Sequence, residues 1–298
     1  MDESPGVLRR MSSEYYTKNF YERLRGGATR SAEVIVPLVL QLLPVRSVVD
    51  IGCGDGSWLA AFRKLGVEEI LGIDGEYVDR SLLQIPQDCF QVLDLTKPFG
   101  LRRVFDLAIS LEVAEHLPPD CAPTFVEGLT RLAPFVLFSA AIPFQGGDHH
   151  VNEQWPDKWA ELFKARDYVP VDFIRKRVWQ NDAVEWWYAQ NTLLFAKANL
   201  VENNAALKAE FEKTNPNQLC LVHPRQYRYL EDRYREAAAR AGQPTPPLGV
   251  RAASKLLLDC LRNAVRRRLH GPGKNQEVDN PYLKPNDHTP NHRPDHDA

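Results

Sequence analysis

A glycine-rich turn between an apolar run and an amphipathic segment constrains this fold more than any other feature. The run Val48–Ile51 is mostly apolar, which is typical of a buried parallel strand. Glycines follow at Gly52, Gly54 and Gly56, and large apolar residues then recur at helical spacing. Because glycine has no Cβ, a ligand can lie against the backbone of such a turn, beside the amides of a helix N-terminus.

A second predicted strand, Ile70–Ile73, ends directly before Asp74. A carboxylate in this place can accept hydrogen bonds from both hydroxyls of a ribose. The turn and the acid together predict a nucleoside-containing cofactor. A dinucleotide fold is the alternative, but its fingerprint needs a glycine where this chain has Ser57.

The segment VVDIGCGDG resembles motif I of the class I S-adenosylmethionine-dependent methyltransferases. Three later segments resemble the same family in the same order: QVLDL, FDLAISLEVAEHLP and PFVLFSAAIP. The resemblance covers residues 34–197 and implies an α/β fold with a doubly wound, seven-stranded, mostly parallel, Rossmann-like sheet. It also implies that S-adenosylmethionine is the cofactor.

The resemblance places cofactor contacts at the ends of the first four strands. The candidate residues are Asp50, Gly52, Cys53, Gly54, Asp74, Asp94, Leu95 and Leu111. We interpret Cys53 as a packing residue and not as a nucleophile. Arg30, in the helical segment before the first strand, is a candidate partner for the carboxylate of the methionine moiety, and a solvated arginine is the alternative.

The composition of the chain argues against several other classes of protein. The chain has 298 residues, a formal net charge of −2 and five scattered cysteines without a CxxC pair. This balance gives no support for a nucleic-acid partner, a zinc site or a disulfide framework. Since the sequence has no signal peptide and no apolar run long enough to cross a membrane, we expect a cytoplasmic protein.

Changes in composition predict four regions. Residues 1–45 form an N-terminal cover of two helices separated by Gly26-Gly27, and residues 46–199 form the core. Residues 200–269 form a helical extension, and residues 270–298 form a disordered tail. Within the extension, Arg251–Leu269 has one basic face, which would contact an anionic inner-membrane surface, a partner or the core.

Seven strands are predicted in the core, and the last two lie so close in sequence that they predict an antiparallel hairpin. Helices fill most of the gaps between the others. The strands are Val48–Ile51, Ile70–Ile73, Phe90–Leu93, Leu107–Ser110, Phe135–Ala140, Val169–Ile174 and Thr192–Ala196.

Two loops at the carboxyl ends of the strands hold the candidate catalytic residues. A hydroxyl acceptor benefits from a general base, and the long polar loop from Pro143 to Pro156 offers His149 and His150. We favour His150, because Asn152 or Glu153 could orient its ring. The alternative is that these residues only cap the helix that begins near Pro156.

The loop after the fourth strand holds the rival base His116, together with Glu112. A metal site built from Asp148, His149 and His150 with Glu112 or His116 is disfavoured, because adjacent histidines point in different directions on an extended chain. We therefore predict no metal.

Two features suggest which class of molecule accepts the methyl group. One is an aromatic segment, and the other is the lack of a motif that base-amine methyltransferases carry after the fourth strand. Trp186 and Trp187 lie near acidic residues, which suits a sugar or another polyol, although plain packing is the alternative. The sequence after the fourth strand is unlike that of enzymes that methylate exocyclic base amines. The prediction is O-methylation of a sugar, glycan or other small molecule. N-methylation of a small amine and a non-catalytic cofactor-binding module are the alternatives. Candidate substrate contacts are Glu112, Asn152, Glu153, Trp186 and Trp187.

Overall fold

The computed structural model describes residues 18–241, and the side chains of residues 26–240. The chain divides into two compact units, Met1–Glu236 and Ala237–Ala298, and the features below belong to the first. The predictions made for the residues before Lys18, for Arg251–Leu269 and for the tail lie outside the described residues.

The core is one seven-stranded sheet with the order β3-β2-β1-β4-β5-β7-β6. Strand β7 is antiparallel to both of its neighbours, and the other pairs are parallel. This confirms the predicted class I methyltransferase sheet. The strands are β1 (Ser47–Ile51), β2 (Glu69–Asp74), β3 (Phe90–Val92), β4 (Leu107–Leu111), β5 (Phe135–Ser139), β6 (Tyr168–Val171) and β7 (Leu193–Lys197).

Helices cover both faces of the sheet. The α-helices are α1 (Lys18–Leu42), α2 (Ser57–Lys64), α3 (Ala122–Leu132), α4 (Pro156–Lys164), α5 (Arg175–Val178), α6 (Trp186–Asn191), α7 (Ala198–Glu202), α8 (Ala205–Glu212) and α9 (Pro224–Ala241). Successive residues of β1 point to opposite faces, so Val48 joins the core under α1 and α2, and Val49 joins the core under α3 and α4.

The prediction of two N-terminal helices separated by Gly26-Gly27 is wrong, because α1 runs through both glycines. Glycine costs about 1 kcal/mol in a helix interior relative to alanine. Here a tertiary contact favours glycine, since a Cβ on Gly27 would lie 2.5 Å from Glu185 Oε1. The hydroxyl of Ser31 also donates to the Gly27 carbonyl at 2.7 Å.

Strands β6 and β7 are antiparallel neighbours, as predicted, but two short helices, α5 and α6, interrupt their connection. This connection brings the aromatic segment to the edge of the sheet where β1, β2, β4 and β5 end. After β7 the chain forms two short helices, α7 and α8, which are separated because the Asn204 side chain caps α8 by accepting from Leu207 N. Among residues 18–241, no helix combines the length and the apolar character that crossing a membrane requires.

Candidate active site

The turn after β1 has a backbone that glycine alone adopts without strain at three positions. Gly52, Gly54 and Gly56 have φ values of +87°, +53° and +79°. A Cβ on Gly52 would also lie 2.4 Å from the Val113 side chain. Gly56 is the N-cap of α2, so the turn leads directly to the amides of a helix N-terminus.

Asp74 ends β2 and its side chain closes the other side of this turn. Its Oδ2 accepts from Gly54 N at 2.7 Å, and its Oδ1 accepts from Gly75 N at 2.7 Å and Tyr77 OH at 2.5 Å. Burial raises the pKa of Asp74. Because Oδ2 accepts only one hydrogen bond in the protein, it can accept another from a ribose hydroxyl. A second ribose hydroxyl would have to displace the Tyr77 hydroxyl from Oδ1.

The remaining cofactor candidates divide into buried and exposed residues. Asp50 is buried, and burial followed by repulsion from Asp74 raises its pKa. A cluster of acids suits a ligand that carries a positive charge. Cys53 is buried and burial raises the pKa of its thiol, as expected for a packing residue. Leu95 and Leu111 are buried. Asp94 is exposed and accepts from Thr96 N at 3.1 Å.

Arg30 forms an ion pair with Glu185, with 2.9 Å between Nη2 and Oε1, and its side chain is 55% exposed. Glu185 N also donates to the Ser31 hydroxyl at 2.9 Å, which fastens the start of α6 to α1. Thr29 lies beside Ser57 at the start of α2, 3.5 Å between their hydroxyl oxygens. Pairing of Arg30 with a methionine carboxylate stays a prediction, and it would require an exchange with Glu185.

The Asp74→Ala variant is expected to bind S-adenosylmethionine about 10- to 100-fold more weakly, because it loses a charge-assisted hydrogen bond to the ribose. Calorimetry with the cofactor and with its demethylated product measures this change. The control is Tyr77→Phe, which removes a competing donor and should bind the cofactor at least as tightly as the wild type. Wild-type affinity in a folded Asp74→Ala variant would contradict the assignment.

The two rival histidines lie together. His116, from the loop after β4, and His150, from the loop after β5, have ring centroids 4.9 Å apart at 85°. Glu115 completes a cluster in which one ligand atom from each of the three side chains lies within 4.8 Å of the others. Val151 N and Asn152 N both donate to the Glu115 carbonyl, at 2.8 and 3.0 Å, which fixes the two loops to each other.

Glu153 orients the His150 ring. His150 Nδ1 lies 3.0 Å from Glu153 Oε1, and the same carboxylate accepts from Phe144 N at 2.7 Å and Gly146 N at 3.0 Å. Phe144 has φ +66° and is 76% exposed, so its side chain lies at the surface while its backbone contacts the carboxylate. The carbonyl of Phe144 accepts from Gln226 on α9 at 2.8 Å.

The other predicted loop residues have different surroundings. Asn152 is buried and donates to the Ala114 carbonyl at 3.2 Å, so it supports the loop and does not orient the His150 ring. His149 is exposed, with φ +59°. Pro156 begins α4, and the loop therefore also leads into that helix as the alternative interpretation expected.

Glu112 is held by amides that sequence reasoning did not identify. Its carboxylate accepts from Gln145 Nε2 at 2.9 Å and from Asn191 Nδ2 at 3.1 Å. Gln145 Oε1 in turn accepts from Asn191 and from Gln190 Nε2, at 2.9 and 3.2 Å. Burial raises the pKa of Glu112. No spacing in the sequence reveals this network, because its members come from the loop after β4, the loop after β5 and α6.

The carboxylate of Glu115 also lies in an unusual environment that the sequence did not reveal. It is 0% exposed, and neither carboxylate oxygen has a hydrogen-bond partner. Burial, followed by repulsion from Glu112, raises its pKa well above the usual range. For His116, burial and the neighbouring His150 lower the pKa to about 4, so its ring is neutral near pH 7. The only sequence signal was the position of Glu115 next to His116.

The two predicted tryptophans begin α6 at the same edge of the sheet. Both are half-buried, with ring centroids 5.5 Å apart at 84°. Trp187 packs partly against the core, and the following Tyr188 is buried against Trp58 at 5.1 Å. The α6 helix then ends at Asn191, which donates to Glu112.

A family model described as "Methyltransferase domain" matches residues 24–215. Solved structures resemble the chain at low identity. The sugar N-methyltransferase KedS8 from Streptoalloteichus is 15% identical with a TM-score of 0.48, over 61% of this chain and 92% of that one. Magnesium protoporphyrin IX methyltransferase (ChlM) from Synechocystis, with bound SAH, is 17% identical with a TM-score of 0.44, over 63% and 97%. The methyltransferase domain of bacterial CtHen1 is 17% identical with a TM-score of 0.40, over 56% and 96%. No curated protein matches the sequence.

Proposed function

Because this chain belongs to the methyltransferase domain family and is an S-adenosylmethionine-dependent enzyme, we propose that its acceptor is a hydroxyl on a sugar, a glycan or another small molecule. The observation that carries the proposal is the contact between His150 and Glu153 at 3.0 Å. An amine acceptor carries its own lone pair, whereas a neutral hydroxyl is a poor nucleophile and benefits from a positioned base.

The cofactor would be held by the glycine turn after β1 and by Asp74, with Asp94 near its adenine. When bound, it supplies a methyl group on a positively charged sulfur. Asp50 precedes the turn and Asp74 closes it, and burial together with repulsion from Asp74 raises the pKa of Asp50. A cation bound beside these two acids would offset their repulsion and favour their ionised forms.

His150 is the group that we propose removes the proton of the acceptor. Its Nδ1 contacts Glu153, which leaves Nε2 as the nitrogen that can receive a proton. Two backbone amides, of Phe144 and Gly146, fix the Glu153 carboxylate. Because the carboxylate orients the base, the histidine ring already points in the direction that catalysis requires before the acceptor binds.

The surroundings of His150 suit an acceptor with several hydroxyls. Glu112 can accept from a hydroxyl, and the amide groups of Gln145 and Asn191 beside it can donate or accept. Trp186 and Trp187 offer apolar ring faces on the same edge, and one face of a sugar is apolar. The proposed contacts of Asn152 are the exception, since its side chain supports the loop.

Labelled cofactor identifies the acceptor and tests the proposal. Extracts or a panel of sugars and polyols, supplied with the enzyme and ¹³C-methyl cofactor, should yield a product that gains one methyl group by mass spectrometry. NMR of the labelled carbon should then show a methyl group on oxygen. The matched control is the Asp74→Ala variant at limiting cofactor. A label found on nitrogen would replace the proposal with the amine alternative.

Contact of Arg251–Leu269 with a membrane, and the cytoplasmic location, stay predictions. Both concern segments or surroundings beyond residues 18–241. The proposed chemistry does not depend on either.

A further inference from the structure

We propose that Glu115, His116 and His150 bind a divalent transition-metal ion that the acceptor hydroxyl reaches as a further ligand. We call these three residues the metal cluster. The sequence predicts no metal, because the adjacent His149 and His150 point in different directions on an extended chain. In the structure His149 lies outside the cluster, and the second histidine, His116, comes from the other loop.

The geometry of the cluster fits one ion. One ligand atom from each side chain lies within 4.8 Å of the other two. Nitrogen and oxygen ligands lie about 2.0–2.2 Å from an ion such as Zn²⁺, so two of them on opposite sides are about 4 Å apart. Small side-chain movements would therefore close the cluster around an ion.

The buried carboxylate of Glu115 is the independent observation that points to a ligand. It is 0% exposed and both of its oxygens lack a hydrogen-bond partner. An unpartnered buried carboxylate costs several kcal/mol in general, so native proteins seldom contain one without a function. The backbone carbonyl of the same residue holds the His150 loop through Val151 and Asn152. The position of Glu115 is therefore fixed by the fold, and its side chain remains available for an ion.

The residues that surround the cluster include the kind of hydrogen-bond partner that usually supports a metal-binding histidine. Such a histidine usually contacts a carboxylate through its other nitrogen, and Glu153 occupies that place for His150. Gly147 packs against the other ring nitrogen, and a side chain would not fit there, since a Cβ on Gly147 would lie 2.3 Å from His150 Nε2. Glu112 repels the charge of Glu115, and a doubly charged ion would offset both carboxylates.

The ligand set narrows the choice of ion. Two imidazoles favour Zn²⁺, Co²⁺ and Fe²⁺, and the carboxylate also admits Mn²⁺. Three protein ligands leave at least one coordination position open, as in catalytic metal sites. An acceptor hydroxyl in that position would have a lowered pKa.

The catalytic part of this inference rests on the proposed hydroxyl acceptor. The metal-bound hydroxyl releases its proton to water, its oxygen forms a bond to the methyl carbon, and the carbon–sulfur bond breaks with the electron pair left on sulfur. A nitrogen of His150 that binds the ion cannot take the proton at the same time. The ion then performs the task that His150 performs alone in the metal-free enzyme.

Calorimetry and visible absorption with Co²⁺ test the site without reference to activity. Wild-type protein dialysed against a chelator should bind one Co²⁺ and gain a visible band. Glu115→Leu and His116→Ala should weaken binding by about 100-fold or more, because losing a ligand costs at least as much as losing its supporting group. His149→Ala, the neighbouring histidine outside the cluster, should bind Co²⁺ as the wild type does.

Thermal unfolding tests whether the variants remain folded. In metal-free protein, Glu115→Leu removes a buried carboxyl group without a hydrogen-bond partner and should melt at the wild-type temperature or above it. Addition of Co²⁺ should raise the melting temperature of the wild type and leave the melting temperature of Glu115→Leu unchanged. Equal Co²⁺ affinity in the wild type and Glu115→Leu would overturn the site.

Methyl transfer before and after chelation separates this inference from the proposed function. A rate that falls on chelation and returns with Co²⁺ or Mn²⁺ supports the catalytic part. Transfer to a hydroxyl at an unchanged rate after chelation would overturn that part and leave the proposed function standing. A Co²⁺ site with label on nitrogen would support the site and contradict the hydroxyl acceptor.

Discussion

The His150→Ala variant is expected to lose about 10²- to 10⁴-fold in kcat while its affinity for S-adenosylmethionine stays at the wild-type value. The ring lies in the loop after β5, and its partners are Glu153 and the ring of His116. None of these belongs to the glycine turn that would hold the cofactor. Turnover at saturating acceptor and calorimetry with the cofactor measure the two quantities separately.

Three neighbouring variants make this result specific. His149→Ala should keep near-wild-type turnover, since His149 is exposed and lies outside the cluster. Glu153→Gln should lower kcat less than His150→Ala does, because a neutral amide orients the ring more weakly. His116→Ala tests the rival loop. If His150→Ala retains its turnover while one of the other histidine variants loses it, the base is assigned wrongly. Full activity in all three histidine variants would favour an amine acceptor.

The Arg175→Ala variant is expected to lose about 3–5 kcal/mol of unfolding free energy, because it leaves a buried partner charge uncompensated. Arg175 is 1% exposed, and its guanidinium contacts both carboxylate oxygens of Asp172 at 2.9 and 2.7 Å. It also donates to the carbonyls of Leu219 and Gln190, at 2.6 and 3.3 Å. The melting temperature should fall by about 10 °C, and urea unfolding gives the free energy.

An exposed ion pair is the matched control for this prediction. Arg235 on α9 pairs with Glu231 one turn away, and its side chain is 71% exposed. Arg235→Ala should therefore change the unfolding free energy by less than about 0.5 kcal/mol. If Arg175→Ala unfolded at the same urea concentration as Arg235→Ala, the buried arginine would not be the tie between α5, α6 and the segment before α9 that the contacts describe.

The parts of the fold that depend on neighbouring residues could be predicted from the sequence. The strands are short apolar runs, and the turn after β1 depends on three glycines that alternate within five residues of the chain. Asp74 was predictable for the same reason, since it directly follows an apolar strand. The continuous α1 helix was not predictable, because the contact that favours glycine at position 27 comes from Glu185, far along the chain.

The candidate site shows the same division. Glu153 lies three residues from His150, and the sequence correctly offered it as a group near the ring. The meeting of His116 with His150 depends on how two loops pack, so the sequence presented these residues as rivals. The hydrogen bonds that join Glu112 to Gln145 and Asn191 arise for the same reason. Amide side chains carry no charge pattern that would have marked them.

The carboxylate of Glu153 holds both the His150 ring and the backbone of the exposed Phe144. A substitution that displaces the backbone at Phe144 will therefore also move the carboxylate that sets the direction of the histidine ring. An exposed position usually tolerates most side chains. This one is constrained by the geometry of the proposed base, so variation at the surface of the loop is coupled to the rate of the reaction.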